Sequence, residues 1–96
     1  MAFIVINVVR ASKEELPGIL MDVQRLGLDA MRTQPGFHFA RLLVSEDQAE
    51  AKLIIEWESR DAFVAYRQGA TGRHMVGGAA HLHPHIEFYE VVAAYD

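Results

Sequence analysis

The chain has 96 residues and a mass of 10.8 kDa, which is enough for one hydrophobic core and no more. Nine basic and thirteen acidic residues give a formal charge of −4, and the basic residues are scattered, which argues against nucleic acid as a partner. The absence of cysteine excludes disulfides, thiolate catalysis and cysteine-held metal sites.

The N-terminal segment carries no leader signal. It lacks a basic start and meets the polar residue Asn7 after a short apolar run, so we predict neither a signal peptide nor a membrane span. With the lack of cysteine, this favours a cytoplasmic protein that has no membrane partner. No linker, repeat or low-complexity tract divides residues 1–96, and we expect them to form a single domain.

The first half of the chain predicts a strand, a helix and a strand. Residues 2–9 are hydrophobic at both odd and even positions, which is typical of a strand covered on both faces. Residues 12–15 have the spacing of a capping box, and apolar residues then recur at helical intervals, which predicts a helix beginning at about Leu16 or Pro17. A turn at residues 34–36 precedes a strand over 37–44, in which Phe37 and Phe39 should share one side.

The second half predicts a strand, a short helix and a last strand. Residues 52–58 alternate and should pair with the preceding strand as a hairpin. Ser59 can cap a helix that stops at Gly69. Residues 70–85 contain three glycines and Pro84, so we expect at most one or two helical turns there, around residues 73–76. Residues 87–95 should form the last strand.

The resulting order, β-α-β-β-α-β, predicts an α+β fold of the ferredoxin-like kind. Its four-stranded antiparallel sheet carries both helices on one face. The other face is bare, and the first strand predicts that this face is also apolar. Two such sheets should therefore pack face to face as a homodimer.

Three segments resemble a known family. They are the strand-to-helix segment of residues 55–66, with Trp57-Glu58-Ser59 and Ala62-Phe63 at its centre, the turn Pro35-Gly36-Phe37, and the terminal residues 87–92. Over nearly its whole length the chain resembles the antibiotic biosynthesis monooxygenase (ABM) superfamily. The resemblance implies one ABM-like domain over residues 1–96 and a dimeric α+β barrel. The superfamily includes cofactor-free oxygenases of aromatic polyketides, quinol oxygenases, haem-degrading enzymes and proteins with no known reaction.

This architecture implies an apolar cavity between the sheet and its helices that suits a flat aromatic ligand. A dry cavity also protects a reactive oxygen intermediate from water. The candidate lining residues, chosen from their elements, are Phe3, Phe39, Trp57, Phe63, Tyr66 and Met75. The competing interpretation for each of them is an ordinary place in the core.

Asn7 is a polar amide in an otherwise apolar strand, and burying it without a hydrogen bond costs about 1–3 kcal/mol. It either meets the backbone or orients a ligand or an oxygen intermediate. The haem-degrading branch has an asparagine on its first strand, an aromatic residue, usually Trp, on the short helix, and an axial histidine after it. Asn7, Tyr66 and His74 occupy similar places, although Tyr66 stands where Trp is usual. His74 is otherwise a general base or a solvent-exposed side chain.

Three functional hypotheses follow. The first is a small monooxygenase that needs no cofactor and acts on a phenolic or quinol-like aromatic compound. Asn7 would orient the oxygenated intermediate, Tyr66 and Trp57 would shape the pocket, and His74 would move a proton. The second is a haem-binding or haem-degrading monooxygenase with His74 as axial ligand. The third is a non-catalytic dimeric binding or stress protein whose cavity is only packing.

One histidine pattern remains open. His81, His83 and His85 alternate, so in an extended segment they would point the same way and could bind a transition metal. No paired carboxylate motif lies nearby and Pro84 marks a loop, which favours solvated side chains.

Overall fold

The structure is a computed structural model that describes residues 1–79 and 83–96, and the side chains of residues 1–74 and 83–96. Its elements, in chain order, are β1 (Phe3–Arg10), α1 (Leu16–Asp22), a π-helical segment (Val23–Leu28), α2 (Asp29–Met31), β2 (Phe37–Val44), β3 (Glu50–Trp57), α3 (Arg60–Gln68), α4 (Ala70–Ala79) and β4 (His85–Glu90). Residues 16–31 form one continuous helical stretch, called the long helix below.

The four strands form one antiparallel sheet in the order β2-β3-β1-β4. This is the ferredoxin-like arrangement, and it confirms the predicted fold class. β1 lies in the interior of the sheet, paired with β3 on one side and β4 on the other. A central strand is the one for which hydrophobic residues on both faces are expected.

The long helix begins where the sequence predicts. Ser12 and Glu15 form a capping turn in which the Glu15 N–H donates to Ser12 Oγ over 3.2 Å and the Ser12 hydroxyl donates to the Glu15 carboxylate over 2.8 Å. The helix itself starts at Leu16, and Pro17 lies in its first turn. Proline is tolerated there because its missing N–H would have no partner in the helix.

The core lies between the sheet and the helices. Its buried cluster consists of Phe3, Val5, Met31, Ile55 and Trp57. The register pairs Phe3 with Trp57 and Val5 with Ile55 across the sheet, so these side chains share the helix-facing side. The fully buried Trp57 is the largest side chain in this core.

No helix formed by residues 1–79 and 83–96 covers the opposite face of the sheet. Ile4, Ile6 and Ile54 lie on this face and are only half-buried, while Leu43 and Tyr89 beside them are 45% and 49% exposed. This half-apolar surface is called the open face below.

The predicted alternation of β2 is wrong at its start. A bulge lies between Phe37 and Phe39, which pair with the neighbouring residues Trp57 and Glu56 respectively. The two phenylalanines therefore lie on opposite faces. Phe37 packs edge-on against Trp57 in the core, with ring centroids 5.8 Å apart, whereas Phe39 lies on the open face.

The short helix α3 follows the prediction. Ser59 caps it by accepting a hydrogen bond from the Ala62 N–H over 3.1 Å, and the helix ends before Gly69. The next segment does not follow the prediction, because α4 runs from Ala70 to Ala79 rather than for one or two turns. Glycines lower helix propensity by only about 1 kcal/mol each, and contact between α3 and α4 outweighs that cost.

The last strand is shorter than predicted. β4 ends at Glu90, and the chain beyond it makes one further ladder-like bond, from the Val91 N–H to the Ala2 carbonyl over 2.9 Å. In residues 1–79 and 83–96, none of the helices combines the length and the apolar character that crossing a bilayer requires.

Candidate functional site

A cavity of about 350 Å³, called the Trp57 cavity below, lies between the sheet and the helices. Its walls come from all four strands, from the long helix and from α3, and almost all of the lining side chains are hydrocarbon. Polar groups enter it at only four lining positions of the described chain, which are Asn7, Trp57, Tyr66 and Arg67. An apolar space with a few polar groups is the usual character of a small-molecule site.

Trp57 and Tyr66 line this cavity, and each carries a hydrogen-bonding atom. Trp57 ends β3, Tyr66 lies on α3, and their rings stack with centroids 5.0 Å apart. Trp57 Nε1 and the Tyr66 hydroxyl are both buried and have no hydrogen-bond partner among the described residues. Since an unpaired buried polar group costs about 1–3 kcal/mol, the pair points to a partner supplied by a ligand or by water.

Burial also changes the acidity of Tyr66. Desolvation raises the pKa of its phenol above the ordinary 10.0, because the charged phenolate is disfavoured there. At neutral pH Tyr66 therefore keeps its proton and can donate a hydrogen bond. Trp57 Nε1 is a donor only, so both groups favour a ligand that carries an acceptor atom or a negative charge.

Asn7 lies on the helix-facing side of β1, four residues from the buried Phe3 and with its side chain on the cavity wall. Its neighbours across the sheet are Leu53 on β3 and Ile86 on β4, both of which also line the cavity. The amide can donate and accept, so it adds an orienting group to an otherwise hydrocarbon wall.

The long helix meets the cavity next to an irregularity. Val23 is the first residue of the π-helical segment and lines the cavity, as do Ile19 and Leu20 one turn earlier. A π-helical turn holds one more residue than an α-helical turn, and such turns are frequent at functional sites. The apolar spacing of this segment also fits a regular α-helix, so the sequence did not predict the π-helical turn.

Arg67 is a site residue that the sequence analysis missed. It lies in the last turn of α3, directly after Tyr66, and its exposed side chain lines the cavity. Among the described residues no carboxylate lies within 4.0 Å of its guanidinium, since the ion pairs found are His38–Glu56 and His85–Glu87. The basic residues are scattered along the sequence, and nothing in it distinguishes Arg67 from the others. Only the fold shows that Arg67 is the one that lines the cavity.

Comparison with known proteins decides the family. The family model described as antibiotic biosynthesis monooxygenase matches residues 2–77. The chain belongs to the ABM family. This confirms the resemblance carried by the segment around Trp57 and Phe63, and the protein is a small member of this monooxygenase family.

Solved structures share the ABM fold at low identity. A Mycobacterium tuberculosis protein has a TM-score of 0.84 at 14% identity, with 100% of both chains covered. A Deinococcus radiodurans protein, solved as a candidate antibiotic biosynthesis monooxygenase, has a TM-score of 0.80 at 16% identity over 98% of this chain and 96% of that one. A Nitrosomonas europaea protein, also solved as a candidate antibiotic biosynthesis monooxygenase, has a TM-score of 0.76 at 14% identity, over 95% of this chain and 90% of that one. No curated protein sequence is significantly similar to the chain.

Of the lining residues proposed from sequence, the ABM fold brings some together and separates others. Asn7, Trp57, Phe63 and Tyr66 line the same cavity. Phe3 packs in the core and lines a different groove, on the far side of α3. Phe39 lies on the open face, where the Arg41 guanidinium sits 4.9 Å from its ring centroid, so it cannot line this cavity. The side chain of Met75 lies outside the described residues.

His74 does not share the cavity with Asn7, contrary to the predicted geometry. It is exposed on α4 and is not a lining residue. Gly72 explains the orientation, because it is buried so closely against α3 that a Cβ there would collide with the Tyr66 carbonyl oxygen. His74 follows two residues later, about 200° around the helix, and therefore faces away from α3.

The haem-binding alternative requires a histidine side chain at this cavity to bind the haem iron. None of the four described histidines, His38, His74, His83 and His85, lines it. The described side chains that line the cavity therefore do not fit a haem group with His74 as its axial ligand.

The suspected metal triplet is also not assembled by the described residues. His83 adopts a positive φ of 47°, which breaks the extended alternation, and His85 pairs with Glu87 at 3.4 Å. His81 lies outside the described residues. Among residues 1–79 and 83–96, no group of three or more His, Asp or Glu side chains could hold a metal ion.

Proposed function

We propose that this protein is a cofactor-independent monooxygenase that oxidises a phenolic or quinol-like aromatic compound in the Trp57 cavity. The observation that carries the proposal is a pair of buried donors, Trp57 Nε1 and the Tyr66 hydroxyl, that no described residue satisfies. Both residues line a hydrocarbon cavity together with Asn7. A flat ring with an oxygen substituent would satisfy both donors and fill the apolar space.

The reaction balances without a cofactor. A phenol with a free ring position takes one atom of O₂ as a new carbonyl, the ring C–H and O–H bonds break, and the second oxygen atom leaves as water. The substrate supplies all the electrons and becomes a quinone. The protein has to favour the phenolate, which gives up electrons most easily, and to keep water from the intermediate.

The residues around the cavity suit that task by donating hydrogen bonds. Trp57 and Tyr66 donate to the phenolate oxygen, and Asn7 orients the oxygenated carbon. No carboxylate and no imidazole lines the cavity in the described chain. We therefore expect that the donors bind the phenolate form of the substrate directly, and that His74 is dispensable as a base.

The active form is a homodimer in this proposal. Apolar side chains on the open face, the half-buried Ile6 and Ile54 and the exposed Leu43 among them, would be covered by the same face of a second copy. Isologous packing of two sheets would complete the barrel that the family resemblance implies.

The experiment is oxygen uptake by purified protein with a panel of phenols and quinols of different acidity. We expect consumption of one O₂ per quinone formed, without added metal, flavin or haem. The pH at half-maximal kcat/KM should follow the pKa of each substrate phenol. Asn7→Ala and Trp57→Phe should lower the rate, and His74→Ala should not.

Other outcomes would support the alternatives. A pH midpoint that stays near the imidazole range and disappears in His74→Ala would restore His74 as the base. A Soret band that forms at one equivalent of haemin and is lost in His74→Ala would support the haem-binding alternative. Tight ligand binding without oxygen uptake across the panel would favour the non-catalytic alternative.

A further inference from the structure

A second groove lies on the other side of α3 from the cavity. It is lined by Phe3, Arg60, Phe63, Val64, Arg67, Gln68, Arg73, Phe88 and Glu90. Three of the nine basic residues of an acidic chain therefore converge on one surface. We call this surface the arginine groove.

The spacing of α3 produces this convergence. Arg60, Phe63 and Arg67 follow one another at three- and four-residue intervals, and Val64 and Gln68 complete the same helix face. Arg73 reaches the groove from α4. Arg60 is in the first turn of α3, where a positive charge opposes the helix dipole, so helix stability does not account for its position.

Aromatic rings form the floor of the groove. Phe3, Phe63 and Phe88 lie mutually in contact, with ring centroids 5.7, 6.0 and 5.6 Å apart for the pairs 3–63, 3–88 and 63–88. Phe88 is 47% exposed, so this aromatic cluster is open to a ligand from the groove side.

The charges in the groove are unbalanced. Three guanidinium groups meet one carboxylate, that of Glu90. Within the described residues none of the three arginines forms an ion pair, because the pairs found involve only His38 and His85. Planar guanidinium groups beside aromatic faces suit a carboxylate attached to an aromatic ring.

The arginine groove adjoins the Trp57 cavity. Phe63 and Arg67 line both of them, so they form the boundary between the two spaces. A ligand whose ring lies against Trp57 and Tyr66 would reach the groove at Arg67.

We propose that the arginine groove binds the carboxylate of an aromatic acid whose phenolic ring occupies the Trp57 cavity. This inference rests on the proposed function and narrows its substrate class from phenols to phenolic acids. Arg67 then determines specificity by contacting the carboxylate. Arg60 and Arg73 increase the positive electrostatic potential around that carboxylate.

The test is calorimetric binding under nitrogen, so that no turnover is required. The probes are 6-hydroxy-2-naphthoate and its methyl ester, which share a ring and differ in charge. We expect the acid to bind about tenfold more tightly than the ester at low ionic strength, with a smaller difference in added salt. The triple variant Arg60→Gln, Arg67→Gln, Arg73→Gln should bind the two probes equally.

A matched control separates the groove from overall charge. The triple variant Lys13→Gln, Arg25→Gln, Arg32→Gln removes the same charge from exposed positions that line neither space, and should keep the preference for the acid. Should the groove triple variant fail to fold by circular dichroism, Arg67→Gln alone should lose part of the preference and Arg67→Lys should regain it.

Equal affinity of the native protein for acid and ester, including no measurable binding of either, would overturn the inference. So would loss of the preference in the control variant. The oxygenase proposal fails separately, through absent oxygen uptake, because a preference for the acid under nitrogen does not depend on catalysis.

Discussion

The indole of Trp57 and the phenol of Tyr66 stack with their ring planes 29° apart, and each carries a buried polar atom that no described residue satisfies. One ring belongs to the end of β3 and the other to the last turn of α3. The stack therefore joins sheet and helix beside the cavity, and it carries two hydrogen-bond donors that no described residue satisfies. Stability and ligand binding depend on the same pair of side chains.

Replacing Trp57 should separate these two roles. Trp57→Ala removes a fully buried ring and should lower the free energy of unfolding by about 3–5 kcal/mol in urea titration. Trp57→Phe keeps most of the packing and removes the unpaired N–H, so it should cost less stability but still weaken binding of a phenolic ligand. A loss below about 1 kcal/mol for the alanine variant would contradict the buried position of Trp57.

Stability should fall in alkali partly through Tyr66. Its pKa is raised by burial in the folded state, so the folded protein holds this proton more tightly than the unfolded chain does. The stabilising effect is complete below the unfolded pKa of about 10 and is lost as the pH rises through the higher folded value. Urea titrations between pH 8 and pH 11 should show a shallower decline for Tyr66→Phe.

Tyr89 provides a comparison for that experiment. The carboxylate of Glu87 raises the pKa of Tyr89, so Tyr89→Phe should also make the decline shallower. An identical pH dependence for the native protein and Tyr66→Phe would contradict the burial of this phenol.

Two glycines should respond oppositely to alanine. Gly36 has a φ of +82°, and a Cβ there would lie 2.5 Å from the Ala62 Cβ, so Gly36→Ala should destabilise by about 1–3 kcal/mol. Gly18 lies in α1, and no other group would lie within 4 Å of a Cβ at this position. Gly18→Ala should therefore stabilise the folded protein by about 0.5–1 kcal/mol. Thermal unfolding of the two variants measures both effects. A lower melting temperature for Gly18→Ala would contradict the open surroundings of Gly18.

Charge on the open face should dissociate the proposed dimer. Ile54→Glu places a carboxylate opposite Ile6 in the middle of this face, and light scattering should then give the 10.8 kDa mass of one chain instead of twice that mass. Leu26→Glu adds the same charge at an exposed position of the long helix and should leave the dimer intact. A native protein that remains at the mass of one chain at micromolar concentration would refute the dimer.

Local patterns in the sequence were enough to predict the order of elements and much of their extent. A continuous hydrophobic run identified β1, and hydrophobic periodicity identified the long helix. The cap at Ser59 placed the start of α3 correctly. These signals act between neighbours in the chain, so they can be read without a fold. Asn7 and Tyr66 were identified as candidates because of a polar residue in an apolar strand and a resemblance to the family, and both line the cavity.

What only the tertiary structure decided involves contacts between distant segments. The bulge in β2 follows from pairing with β3 and moved Phe39 to the open face. Close packing of Gly72 against α3 lengthened α4 beyond its weak local propensity and turned His74 toward solvent. The three arginines of the groove are unremarkable in sequence, since their convergence depends on where α3 and α4 lie on the sheet. Propensity and periodicity are properties of a segment, whereas the face that a side chain presents to a distant partner is set by packing energy.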